Sequence, residues 1–354
     1  MFKLGPTPVF APDGVGAAGG GDSDKFRIDI PPFRFPGDDG GKTHYTPWLV
    51  VRFASGDEGA RPLAGGTVFW ESPDVWVEGS LGINQPVPGE PSNVFARVSN
   101  FGQEDATGVL VKFWWADPSL AITEASAHLI GIGSVAVVPS LGTVTVPCPT
   151  PWTPVVENGG HECLLAEAEI PGLDPLTAPM DPVDDRHVGQ KNEQLVLAGK
   201  GKPFSVKVRA ANVIGLAQTL NFEVHAPPIR QIPPLLAARR IAVRAPLVPA
   251  TTALTLSMKV ADQPSFSTQA SPVFTRRLLS MTVRQAAGTT ERRTAPPLIA
   301  QSLSLQPWET RMVDISGQVP SGAQPGQTFV FRVTQRVGQM VTGGYSVYVV
   351  VADG

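Results

Sequence analysis

Apolar and polar residues alternate with a period of two over many short stretches of this chain. In the segment 93–99, Val94, Ala96 and Val98 share one side, while Asn93, Phe95 and Arg97 share the other. In 109–115, Val109, Val111, Phe113 and Trp115 oppose Leu110, Lys112 and Trp114. In 164–169, Leu164, Ala166 and Ala168 oppose Glu167 and Glu169. This period is that of a strand with one buried face. Lys112 marks the outer side, so Phe95 and Trp114 are predicted to project outward. If the strands carrying Lys112 and the two glutamates are neighbours, Lys112 should oppose one of them, a pair worth roughly a few tenths of a kcal/mol.

Runs at 49–53, 67–70 and 75–77 are rich in β-branched and aromatic residues and bounded by Gly, Pro and Ser, which predicts further strands. The run 194–197 is expected to close a first sandwich, and 199–203 reads as a linker. A second region opens with strands at 204–210 and 219–224 and ends with strands at 328–333 and 345–351. Turn signals recur about every ten residues, as in sandwiches of short antiparallel strands. Weak helical turns are expected within 118–131 and 235–244, and the tetrapeptide 131–134 reads as a turn. Residues 227–300 are rich in Pro and Arg and hold few clean strands. The predicted fold is all-β: two immunoglobulin-like antiparallel β-sandwiches in tandem, at 47–199 and 200–354, behind an extended arm at 1–46.

Composition agrees with this. Of 354 residues, 36 are Gly and 36 are Pro, well above the roughly 12% average for the pair. At 42% hydrophobic residues the chain can still bury real cores. No stretch reaches the roughly 18 consecutive apolar residues of a membrane-spanning helix, and the amino terminus lacks the apolar run expected for classical export. The arm contains Gly19–Gly21 and offers only Phe26, Ile28 and Ile30 as alternating apolar positions. It cannot offset its own ordering entropy, so it should be disordered or laid against something else, a partner subunit being one holder.

The net charge of −3 is unevenly placed. Residues 1–199 carry 11 Lys/Arg against 25 Asp/Glu, and residues 200–354 carry 17 against 6. Opposed poles of this size can steer association between subunits or dock two domains of one chain. The pairs Arg239–Arg240, Arg276–Arg277 and Arg292–Arg293 are candidate contact residues. They are scattered and lack interleaved aromatics, which disfavours nucleic acid as the partner.

The stretch 97–114 has a strand ending in Asn100, a turn through Gly102, and a following alternating strand. In this it resembles the CARDB-like family, immunoglobulin-like modules of bacterial surface proteins. Asn can bridge its own backbone in such a turn, and Gly is expected to supply a positive φ. The stretch 140–146 and Asn192 extend the resemblance over about residues 73–197. It implies a sandwich module that can serve adhesion, carbohydrate binding or plain spacing.

Candidate chemistry is sparse. Cys148 and Cys163 could close a small loop as a disulfide, worth roughly 3 kcal/mol in the chain-entropy model, or stand as buried thiols. Asp181, Asp184 and Asp185, with His187, form an acidic loop that is a weak calcium candidate, since calcium takes six to eight oxygens; a solvated loop is the competing reading. No metalloprotease, hydrolase-elbow, phosphate-loop or dinucleotide motif occurs, so no cofactor is implied. An exposed Trp can stack on a sugar or anchor a protein interface, but cover by the arm or a partner is the favoured reading for Trp114. The expectation is a non-enzymatic structural or interaction protein, a homo-oligomer or a subunit of a surface layer, filament or phage-like particle. The competing expectation is a glycan-binding or adhesive module.

Overall fold

The computed structural model describes residues 46–116, 122–155, 163–238, 254–266 and 297–352, with positions 241, 247 and 250 between them. Nearly all of the expected arm therefore lies outside the described residues. Within them the chain is all-β, apart from a 3-10 turn at Ile229–Gln231, a short helix, α1, at Ile232–Ala238, and a helical position at Ala250.

Nine strands build the first sandwich: β1 Leu49–Val50, β2 Val75–Gly79, β3 Gly82–Ile83, β4 Asn93–Asn100, β5 Ala106–Ala116, β6 Ala127–Val138, β7 Thr143–Pro147, β8 Cys163–Glu169 and β9 Val188–Lys191. In one sheet, β4 pairs with β1, β2 and β7, and β3 lies beyond β2; the other sheet runs β6-β5-β8-β9. Val94, Ala96 and Val98 meet Val109, Val111 and Phe113, with Leu164, Ala166 and Ala168, in the core between them. These are the faces that the alternation predicts. Lys112 stands opposite Glu167 and donates to Glu169 at 2.8 Å.

The second sandwich contains β10 Glu193–Ala198, β11 Pro203–Ala211, β12 Gln218–His225, β13 Thr255–Val260, β14 Ser265–Phe266, β15 Ile299–Leu305, β16 Glu309–Gln318, β17 Thr328–Val337 and β18 Met340–Val351. One sheet runs β10-β18-β17-β12-β15, and the other runs β11-β16-β13 with β14 also on β16. Phe204, Val206, Val208, Phe222, Ile315, Phe329, Phe331 and Val347 fill the space between.

Four expectations need correction. Residues 194–197 do not close the first sandwich: as part of β10 they pair in parallel with β18. The passage between sandwiches is Asn192, whose N–H donates to the Trp70 carbonyl, whose carbonyl accepts from the Ser346 N–H, and whose Nδ2 donates to the Gly344 carbonyl. Residues 199–202 form the turn between β10 and β11.

Residues 67–70 are not a strand. Phe69 and Trp70 are buried there with Val341, and the Trp70 indole donates to Ser346 Oγ at 3.1 Å. Their apolar character serves this junction rather than a sheet.

Residues 131–134 are not a turn but the middle of β6. A Cβ on Gly133 would stand 2.8 Å from the Pro147 carbonyl oxygen, so the glycines admit the chain that crosses there.

Gly102 supplies no positive φ. Its hydrogen instead admits the backbone of residues 46–48, since a Cβ there would stand 2.0 Å from the Thr46 carbonyl oxygen. Asn100 acts as expected at the turn: Oδ1 accepts from the N–H groups of Gly102 and Trp48, and Nδ2 donates to the Glu104 and Val138 carbonyls.

Candidate interaction surface

β6 is the end strand of its sheet, and among the described residues it pairs only with β5. It is twelve residues long. The register places Ile132 opposite Lys112 and Leu129 opposite Trp114, on the face away from the core. Leu129 and Ile132 are each 48% exposed, and Val137 is 39% exposed. A long edge strand carries unpaired backbone donors and acceptors, and an apolar one with neither Lys nor Pro lacks the usual protection against pairing with another chain. The sequence reading missed it, because a glycine pair in 131–134 looked like a turn and obscured the strand.

The predicted aromatics divide. Trp114 is half-buried, packs against a cluster that includes Leu165 and Met180, and donates from Nε1 to Glu167 Oε2 at 2.9 Å. Its cover comes from its own chain. Phe95 is half-buried on the outer face of the other sheet and stacks on Trp76, with centroids 5.4 Å apart and planes 12° apart. The Arg97 guanidinium lies 5.5 Å from the Trp76 ring centre. Arg239, Arg240, Arg276 and Arg277 lie outside the described residues, as do Arg292 and Arg293.

The disulfide candidate is corrected: no disulfide joins Cys148 and Cys163, and both thiols are buried. They belong to separate apolar clusters, Cys148 in the core of the first sandwich and Cys163 with Ala116 and Leu165 on the sheet's other face. Burial pushes the Cys148 thiol up, only partly offset by the Thr150 N–H.

In the loop 171–188, which leads from β8 into β9, Asp174, Asp181 and Asp185 are buried and accept hydrogen bonds from the surrounding chain. Asp185 Oδ2 accepts from the Thr177 N–H and hydroxyl and from the Ala178 N–H, at 2.6–2.8 Å. Its Oδ1 accepts from the His187 N–H at 2.9 Å and meets His187 Nδ1 at 2.6 Å. Asp181 Oδ1 accepts from the Val183 and Asp184 N–H groups. These carboxylates hold the loop together and do not converge on one point. No His/Cys/Asp/Glu group suited to a metal occurs among the described residues.

The sequence reading also missed Asp174. It accepts from the Leu49 N–H at 2.8 Å and pairs with Arg186, whose guanidinium lies 3.5 Å over the Trp48 ring. His187 Nε2 approaches Asp174 Oδ1 at 3.2 Å, near enough for an ion pair without hydrogen-bond alignment. Burial acts against a charged His187, but Asp174 and Asp185 outweigh it and raise its pKa. Burial likewise acts against both carboxylates, and His187 outweighs it and lowers their pKa values. Nearby Glu167 accepts from the Met180 N–H at 2.8 Å, yet burial pushes its carboxyl up. The network ties the loop to β1 and is structural.

No family model matches the chain, and no curated protein matches it. Among solved structures, a Bacteroides ovatus protein given provisionally as carbohydrate-binding is 6% identical over 46% of this chain, at a TM-score of 0.27. The chain spans 36% of that protein's length. The CupB6 tip adhesin of Pseudomonas aeruginosa is 8% identical over 88% of this chain and 99% of its own, at 0.19. A family 123 glycoside hydrolase of Clostridium perfringens is 8% identical over 46% and 23%, at 0.24. Such scores carry no argument about what this chain binds.

Proposed function

We propose that this chain is a non-enzymatic β-sandwich subunit that acts by associating with further copies of itself in a larger assembly. The β6 edge, unpaired among the described residues and with Leu129, Ile132 and Val137 exposed along it, carries the reading. Edge strands of this length and apolarity pair with other chains unless they are blunted. The Asp174 and Asp185 carboxylates are compatible with the same reading, because they bond the backbone and side chains that hold loop 171–188 in place. The resemblance of the turn at Asn100 to CARDB-like modules is compatible with it, since those modules host binding and spacing alike.

The test is absolute mass by light scattering across a concentration series, for the natural chain and for Leu129→Lys/Ile132→Lys. The expected result is a species larger than the 37.5 kDa chain that falls to monomer in the double variant. A monomer at every concentration would overturn the proposal.

A second reading has one observation in its favour. The Trp76–Phe95 stack with Arg97 lies on an outer sheet face and offers apolar ring edges beside a cation. A glycan-binding or adhesive module would use it, and Trp76→Ala would then abolish binding on a glycan array.

A further inference from the structure

The β6 edge has a candidate occupant within this same sequence. We infer that residues 24–30 of one copy add as a strand to β6 of a second copy; this rests on the self-association proposed above.

Residues 24–30 read Asp-Lys-Phe-Arg-Ile-Asp-Ile, with Phe26, Ile28 and Ile30 alternating against Lys25, Arg27 and Asp29. An added strand needs this pattern: alternate apolar side chains on the covered face and polar ones on the wet face. Pro31 and Pro32 end the stretch, since neither has an N–H for a ladder. Gly19–Gly21 precede it. The acceptor is matched in kind. β6 offers an edge unpaired among the described residues and flanked by Leu129 and Ile132, and its other face is not available because Gly131 and Gly133 already admit the crossing chain.

The route also fits. The chain enters the described structure at Thr46, packed on Gly102. The neighbouring Asn100 bonds the carbonyl of Val138, the last residue of β6. Thr46 therefore lies near the end of the edge strand. The sixteen residues from Ile30 to Thr46 span up to about 53 Å when extended, enough to reach a neighbouring copy. Leu129 and Ile132 are half exposed, and in this arrangement the arm of another copy covers them. Exchange of the arm between two copies buries both edges.

The experiment is complementation between two full-length variants, read by light scattering. Ile28→Pro breaks the donor, removing a backbone N–H and an apolar side chain in a segment outside the sandwiches. Ile132→Lys blocks the acceptor. Each variant alone should be monomeric, and their mixture should form a 1:1 dimer, because one supplies an intact arm and the other an intact edge. If Ile28→Pro associates as the natural chain does while Ile132→Lys does not, the edge pairs with something else; this inference fails and the self-association reading stands. If the natural chain is itself monomeric, both fail. Circular dichroism of each variant separates lost association from lost folding, since a folded monomer keeps the strand signal.

Discussion

His187 is a buried imidazole between two carboxylates, and its ionisation couples loop 171–188 to pH. Its folded pKa is raised, so the stability it contributes is complete below its unfolded value of about 6.5 and is lost as pH climbs through the folded value. Asp174 and Asp185 have lowered pKa values, so their contribution is present above about 3.9 and is lost as pH falls through the folded values. The two limits place the greatest stability from this network between about pH 4 and 6.5. Thermal denaturation from pH 5 to 9 should show the natural chain weakening on the alkaline side, and His187→Gln should flatten that limb. An unchanged slope in the variant would remove His187 as its cause. Asp185→Ala should cost about 3 kcal/mol, because it leaves a buried charge and several N–H groups without their acceptor.

Among the elements, β1 shows how a two-residue strand is held by groups far from it in sequence. The Leu49 N–H donates to Asp174, and the Trp48 N–H donates to Asn100. Gly102 leaves room for this segment, and Gly102→Ala would drive a methyl into the Thr46 carbonyl. Overpacking of this kind costs typically 1–3 kcal/mol. A lowered urea midpoint with an unchanged slope is the expected result, and an unchanged midpoint would show that the segment 46–48 moves aside freely. Many strands were legible in the sequence where alternation was clean, although β16, with Val313 and Ile315 buried on one face, was not read. β4, β5 and β8 appear with the predicted faces inward, and β11, β12, β17 and β18 cover the four runs read in the second region. β6 was not legible, because its inner face presents Gly131 and Gly133 to a crossing chain instead of side chains to a core.

For the molecule as a whole, the two sandwiches are joined by a buried polar seam rather than by a free linker. Arg332 of β17 makes a two-pronged pair with Glu71 at 2.7 Å on each arm and donates to Gln231 at 3.0 Å. The Glu71 and Arg332 side chains are only 8% and 12% exposed. The Ser346 hydroxyl also donates to Glu71, and Trp70 lies flat on Gly344. One acidic residue of the first half thus meets one basic residue of the second. Removing one partner of a buried pair costs about 3–5 kcal/mol. Arg332→Ala should lower the calorimetric transition and split it in two as the sandwiches uncouple. A single transition at the natural temperature would show that apolar packing at Trp70 holds the seam unaided.

The sequence by itself determined the strand character and the inward faces, because alternation is a local property that each strand carries in its own side chains. It also determined the turn at Asn100, whose amide bonds the nearby Gly102 and Glu104 backbone, while its bonds to Trp48 and Val138 depend on the tertiary fold. Tertiary structure alone decided what depends on partners distant along the chain: the parallel pairing of β10 with β18, the use of Phe69 and Trp70 as a junction, and the separation of the two thiols. It also decided that the acidic loop bonds itself and β1, and that β6 is an end strand among the described residues. The physical reason is the same in each case. A strand's period specifies which side is buried, but backbone edges are chemically alike, so only the assembled sheet selects its neighbour.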